Sequence, residues 1–321
     1  MAIDDDIFFI TESPIGVASS WDYGMVTAMS GRAFPDAILG DQQSILRGDQ
    51  YRLWLRWFLE GLVSPLAFSR NAALQRLDVF AVVLERIIRL YPSVDVTRQR
   101  MLTEKITDHL FADVERLRAD VKRDRADKGT KVQLLGERSP PRCYICGFAF
   151  SQEAQDALIG KKMRDEITLP RLVDVFRPRL RERDVSIEIE HVVPVAYHGH
   201  GKDNLRLACG WCNKYKSSKV SLYEASHVPS QIPGFKVGSH EIHELPHPFW
   251  TIRTMALRRR CQHPAGCDNT ADTAEMFVSL IDWRGSPNPM NLTVVCQEHD
   301  LVAADRLHAA SVVATLWGER R

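Results

Sequence analysis

From about Gly48 onward, apolar residues recur at helical spacing. YRLWLRWFLEGL, residues 51–62, is apolar on nearly all sides and predicts a buried helix. NAALQRLDVFAVVLERIIRLY, residues 71–91, predicts a second helix, stopped by Pro92. A third is expected from about Thr97 to Asp127. Leu102, Ile106, Leu110, Val114, Leu117 and Val121 form its apolar stripe, with charges of both signs around the rest. Such helices pack as a bundle; a dimer or partner surface on the third is the alternative use. The first forty residues mix Gly, Pro and Ser punctuation and predict no particular element.

Beyond Asp127 the pattern changes. DKGTKVQLLGERSPPR, residues 127–142, has the composition of a linker. A polar helical stretch follows CYICGFAF, and then comes the arginine-rich RPRLRERD. VSIEIE alternates with Val185, Ile187 and Ile189 on one side, which predicts a strand running into HVVP. Another helix is expected near Asn213. Residues 226–248, rich in Pro, Gly and His, predict a connection, and EHDLVAADRLHAASVVATLW a terminal helix. One internal echo stands out. DNLRLACGWC and MNLTVVCQEH share Asn-Leu, three residues, Cys, two residues, then Cys or His. Two related metal-binding units explain it most economically.

The chain has 321 residues, a hydrophobic fraction of 45% and a net charge of +1. It is long enough for one to three domains. No global field draws it to nucleic acid, so any such affinity must come from local patches. No apolar run approaches the ~18 residues of a membrane span. The acidic start MAIDDDIFFITESP is not a signal peptide, so a cytoplasmic protein without membrane association is expected. Its thiols are then reduced, and clustered cysteines point to metal rather than disulfides.

All seven cysteines lie at or after Cys143. Cys143, Cys146, Cys209 and Cys212 form two Cys-x-x-Cys pairs, which suit tetrahedral Zn2+. Four protein thiolates leave no open position, so this zinc is expected to be structural. A redox dithiol is the competing reading, and two separate pairs argue against it. Cys261, Cys267, Cys296 and His299 offer a second structural zinc set, with His263 as a rival ligand and His299 preferred by its Cys-x-x-His spacing. Between the two pairs lie Glu190 and His191, ahead of Pro194, then Asn204, and Asn213 directly after Cys212. Adjacent strand residues face opposite ways, so Glu190 and His191 share a ligand only if the strand ends or bends there.

Acidic-His-x-x-Pro, then Asn-Leu, then Cys-x-x-Cys-Asn-x-x-Lys, framed by an upstream Cys-x-x-Cys, resembles the HNH endonucleases with a ββα-metal core. The resemblance covers about residues 138–222. It implies that His191 is the general base and that Asn204 braces the loop and orients it. It also implies that Glu190 and Asn213 bind one catalytic divalent cation. Aspartate is frequent in the family where Glu190 stands, and histidine where Asn213 stands, which makes this an H-N-N variant. Oxygen donors favour Mg2+ or Mn2+. The chemistry is consistent: an imidazole of ordinary pKa, ~6.5, takes a proton from water near neutrality.

Lys214, Lys216, Lys219 and Arg206 are then candidate phosphate contacts, joined by Arg179 and Arg181 from the alternating series Arg177, Arg179, Arg181 and Arg183. Arg258, Arg259 and Arg260 could give the last module a grip on DNA. His198 and His200 are loop neighbours of the site rather than ligands. The expected class is α+β: a mainly helical domain (1–130), an HNH core stapled by zinc (131–225) and a small Cys3His zinc module (226–321). The expected function is hydrolysis of DNA phosphodiester bonds, with RNA left open as a substrate. A bacterial anti-phage effector with a homodimer or defence partner on the N-terminal domain is one setting. The competing function is a non-catalytic zinc-ribbon nucleic-acid-binding protein.

Overall fold

The computed structural model describes residues 23–30, 40–118, 126–161, 166–195 and 201–318. The chain divides into two compact units, Met1–Gly48 and Asp49–Arg321. The domain boundaries expected near residues 130 and 225 both fall inside the second. In the first unit, helix α1 (Tyr23–Ser30) exposes Tyr23 and Val26. Among the described residues no helix is long and apolar enough to cross a membrane.

Helix α2 (Gln43–Leu62) leads into the short α3 (Pro65–Ser69), whose first turn is capped by Ser64. Helices α4 (Arg76–Leu90) and α5 (Val96–Arg118) follow. Leu62, Val63, Val79, Val83, Ile87 and Leu110 form the core between them. The expectation of a buried helix over residues 51–62 is wrong: Tyr51, Trp54, Leu55 and Trp57 are 54–68% exposed. Only its last turn, at Leu59 and Leu62, meets the core, because the neighbouring helices cover one side. The stripe expected on α5 holds in part, with Leu110 and Val114 buried and Ile106 packed against the core. Gln99, Thr103, Thr107, Leu110 and Val114 face inward while Leu102 and Leu117 are exposed; Val121 lies outside the described residues. The buried Gln99 is satisfied by donating to the Tyr91 carbonyl at 2.9 Å.

The expected linker contains helix α6 (Lys128–Gly136), capped by Asp127, whose carboxylate accepts from Thr130 N at 2.7 Å. Leu134 anchors it, an apolar contact that the Gly and Pro content of the segment obscures. The polar stretch after the first cysteine pair is α7 (Gln152–Leu158). A short strand β1 (Leu172–Asp174) and a single turn, α8 (Glu182–Val185), precede the hairpin β2 (Ile187–His191) and β3 (Leu205–Cys209). Val185, expected in the strand, belongs to α8. Strands β2 and β3 pair antiparallel from Ile187↔Cys209 to His191↔Leu205, and helix α9 (Gly210–Lys216) follows at once.

Residues 226–248 are not a plain connection. They hold the hairpin β4 (Ser230–Val237) and β5 (His240–Leu245). Val237, Ile242 and Leu245 close a core with Val175, Phe176 and Val302, which explains how a Pro- and Gly-bearing segment stays ordered. Helix α10 (Pro248–Arg258) is largely buried, and its Arg253 pairs with the buried Asp49 at 2.5 Å. A third hairpin, β6 (Met276–Leu280) with β7 (Leu292–Cys296), repeats the pairing of the first. The expected terminal helix is mostly turn. Strand β8 (Leu307–Ala309) pairs with β1, and only α11 (Ala310–Leu316) is helical. Buried Arg306 organises that turn by pairing with Asp174 and Asp300.

Candidate metal centres and cleft

The first cysteine pair sits in a tight knuckle. Gly147 N donates to the Cys143 carbonyl at 2.8 Å, and Cys143 N to Phe148 O at 2.9 Å. Gly147 is required here: its φ is +70°, and a Cβ would lie 1.9 Å from the Ala274 carbonyl oxygen. Tyr144 N donates to Leu207 O at 2.9 Å, which fixes the knuckle to β3. The second pair spans the end of β3 and the first turn of α9. The sulfur atoms of Cys143, Cys146, Cys209 and Cys212 all lie within 4.8 Å of one another, and all four residues are buried. Burial pushes the Cys143 and Cys212 thiols well above the usual cysteine value, while at Cys146 burial is outweighed by the neighbouring cysteines and Arg177, which hold it well below. The donor set and its closure are compatible with structural Zn2+.

Cys261, Cys267, Cys296 and His299 form the second cluster, through the Nδ1 of the histidine, which lies 3.3 Å from the Cys296 sulfur. His263 is outside it; its ring stacks on His299 with centroids 4.1 Å apart. Burial raises the Cys296 thiol, but contacts from Asn269 and His299 outweigh it and bring the thiol down to about 7. This set also suits structural Zn2+, although Cys267 and His299 are only half-buried.

Beside the first cluster lies a cleft of about 650 Å³, lined by Lys131, Arg183, Glu190, His191, Asn213 and Lys214, among others. Glu190 and His191 both line the cleft at the end of β2, with His191 still paired to Leu205. Asn204 does not line it. Its Oδ1 accepts from Val193 N at 2.9 Å and its Nδ2 donates to Val193 O at 2.8 Å. With Val192 N donating to Asn204 O at 2.9 Å, this clamps the turn directly after His191.

Glu190 is 6% exposed and both its oxygens are taken. Tyr144 Oη donates to Oε2 at 2.8 Å, and Lys216 Nζ lies 2.5 Å from Oε1. Burial raises its carboxyl above the usual range, with Lys216 and Tyr144 pulling it back. Asn213 donates its amide to Glu188, which also accepts from Arg183 Nε at 2.8 Å. Among the described residues, only the two cysteine-rich groups bring three or more His, Cys, Asp or Glu ligand atoms together. Glu190 and Asn213 have donors of the right hardness for Mg2+ or Mn2+. A cation at Glu190 fits only when Lys216 moves away.

The basic residues divide sharply. Lys214 and Arg181 are exposed, and Lys214 lies on the cleft wall. Lys216 points inward, because α9 turns it toward Glu190. Arg179 is buried: it pairs with Glu275 at 2.8 Å, reaches the Cys146 sulfur at 3.4 Å and stacks 3.8 Å above the Phe148 ring. Arg177 is likewise buried on Glu275. The expectation that Arg179 contacts phosphate therefore fails, since its charge is spent on the thiolate cluster and Glu275. Arg206 folds back onto the carbonyls of Asp203 and Leu205, and Lys219 lies 5.7 Å over the Phe249 ring. His198 and His200 lie outside the described residues.

Three site residues escaped the sequence reading. Glu188 shares the strand face of Glu190, and period-two alternation could have flagged it. Tyr144 sits within the first knuckle, and no local signal marks Lys131. Arg183, expected with its neighbours to line a groove, does line the cleft. Comparison with known proteins finds no matching family model, no matching curated protein and no matching solved structure.

Proposed function

We propose that the chain is a metal-dependent endonuclease of the HNH type that hydrolyses DNA phosphodiester bonds at the cleft beside the first cysteine cluster. One observation carries this reading. A single cleft joins an imidazole, a carboxylate, a carboxamide and basic side chains on a two-stranded hairpin followed by a helix. His191 accepts the proton of the attacking water, the task for which an imidazole is suited near neutral pH. Asn204 holds the turn that aims His191. Lys131, Arg183 and Lys214 supply positive charge on the walls for flanking phosphates. A divalent cation held by Glu190 and Asn213 would neutralise charge at the scissile phosphate.

The test is plasmid nicking with Mg2+ or Mn2+. Wild-type protein should cut, and His191→Ala should lose about 100-fold or more of the rate. Zinc content and DNA retention should be unchanged in that variant. Wild-type protein that retains DNA but leaves it intact with every cation tried favours the second reading, a zinc-stapled nucleic-acid-binding protein. The occupied state of Glu190 is the observation on that side.

A further inference from the structure

The carboxylates on the inner face of β2 are already matched by basic groups. Lys216 Nζ is 2.5 Å from Glu190 Oε1 and 2.9 Å from the His191 carbonyl oxygen, and its side chain is 11% exposed. Arg183 Nε is 2.8 Å from Glu188 Oε1. Two carboxylates and two cations leave this floor close to neutral. Lys216 lies one helical turn beyond Asn213 on α9, so both face β2. The ammonium therefore stands where a dication would bind Glu190.

We propose that Lys216 is a tethered cation that latches the metal site: it holds Glu190 until a divalent ion displaces it, and so sets the affinity for that ion. The purpose of the site rests on the hydrolase reading, but the latch itself does not. An ammonium and a dication cannot share one carboxylate oxygen at contact distance, because their repulsion in a buried setting is large. Removing the ammonium leaves Glu190 buried with Tyr144 as its remaining donor. A buried carboxylate without a counter-charge is costly, and binding a cation relieves that cost. Once displaced, the ammonium has beside it the cleft that Lys131 and Lys214 line, where a polyanion would retain it.

Mn2+ binding to the zinc-loaded full chain, without nucleic acid, tests this by the electron paramagnetic resonance signal of free Mn2+. Mn2+ is the weakest competitor for nitrogen and sulfur ligands among first-row divalent metals, so it leaves the zinc sites intact. Lys216→Met should bind Mn2+ at least about tenfold tighter than wild type, a difference of about 1.4 kcal/mol. Adding Glu190→Gln should abolish the gain. Equal or weaker binding by Lys216→Met overturns the latch. Lys216→Gln replaces it if the methionine variant fails to fold. Wild-type protein gives an independent readout: acylation of the Lys216 amine should rise severalfold at saturating Mn2+, and unchanged labelling overturns the proposal. Tighter Mn2+ binding by Lys216→Met supports the latch even if no variant cuts DNA. A wild-type protein that cuts, with a variant of unaltered Mn2+ affinity, sinks the latch and spares the hydrolase reading.

Discussion

The two cysteine-bearing hairpins are built alike and equipped differently. Strands β2 and β3 pair from Ile187↔Cys209 to His191↔Leu205, and β6 and β7 from Met276↔Cys296 to Leu280↔Leu292. Tyr144 N donates to Leu207 O at 2.9 Å in the first, and Gln262 N to Val294 O at 2.7 Å in the second. Asn204 clamps Val193 through both ends of its amide, and Asn291 clamps Asp282 in the same way at 2.8 Å and 2.8 Å. The short echo around Asn-Leu and Cys thus marks a duplicated scaffold. Matching registers put Ser279 where Glu190 stands and Leu280 where His191 stands, while Asp300 follows His299 as Asn213 follows Cys212. Asp300 is bound by Arg306 in a buried ion-pair network, and the pocket beside it, about 250 Å³, is smaller than the cleft at the first hairpin. The hairpin scaffold and the polar side chains of the cleft are therefore separable features of this chain.

That comparison breaks most sharply at the metal sites. Cys146→Ser should unfold the module around the first cluster, because it strands three buried thiols and the knuckle they hold. Circular dichroism and zinc content should collapse together. Cys267→Ser should instead lose one zinc per chain and keep the first cluster, since Cys267 is half-buried. A mild chelator should likewise remove the second zinc before the first. Simultaneous loss of both ions would show that the two clusters are not independent.

Arg306→Met comes next. It leaves Asp174 and Asp300 buried without their cation, which should cost about 3–5 kcal/mol in urea unfolding. A loss near zero would show that these ion pairs do not stabilise the region around the second hairpin. Smallest in stability, and most informative, are the paired asparagines. Asn204→Ala deletes two side-chain hydrogen bonds to the backbone and Asn291→Ala three, and each should cost about 1–2 kcal/mol. Only Asn204→Ala should also slow nicking, by misplacing the turn after His191. Equal effects on the rate would erase the functional distinction between the hairpins.

Legibility from sequence followed the range of the signal. Cys-x-x-Cys and Cys-x-x-His are dictated within a turn, so both ligand sets and the choice of His299 over His263 were readable and recur in the structure. The hairpin at 226–248 was not, because its burial comes from Val175, Phe176 and Val302 far away in the chain. Helix α6 was masked by Gly and Pro around one buried leucine. The aromatic face of α2 looked buried because periodicity reports apolarity, not the number of neighbours that cover it.

The sequence by itself determined the two ligand sets, the Asn-Leu echo and the order Glu190, His191, Asn204, Asn213, because each depends on residue type and short spacing. Only the tertiary structure decided which charges face inward. Arg179 and Lys216 look like phosphate contacts in one dimension, yet one neutralises a thiolate cluster and the other a carboxylate. The reason is that a charge takes its partner from what folding brings within a few ångströms, and those partners here lie 33 and 26 residues away in the chain.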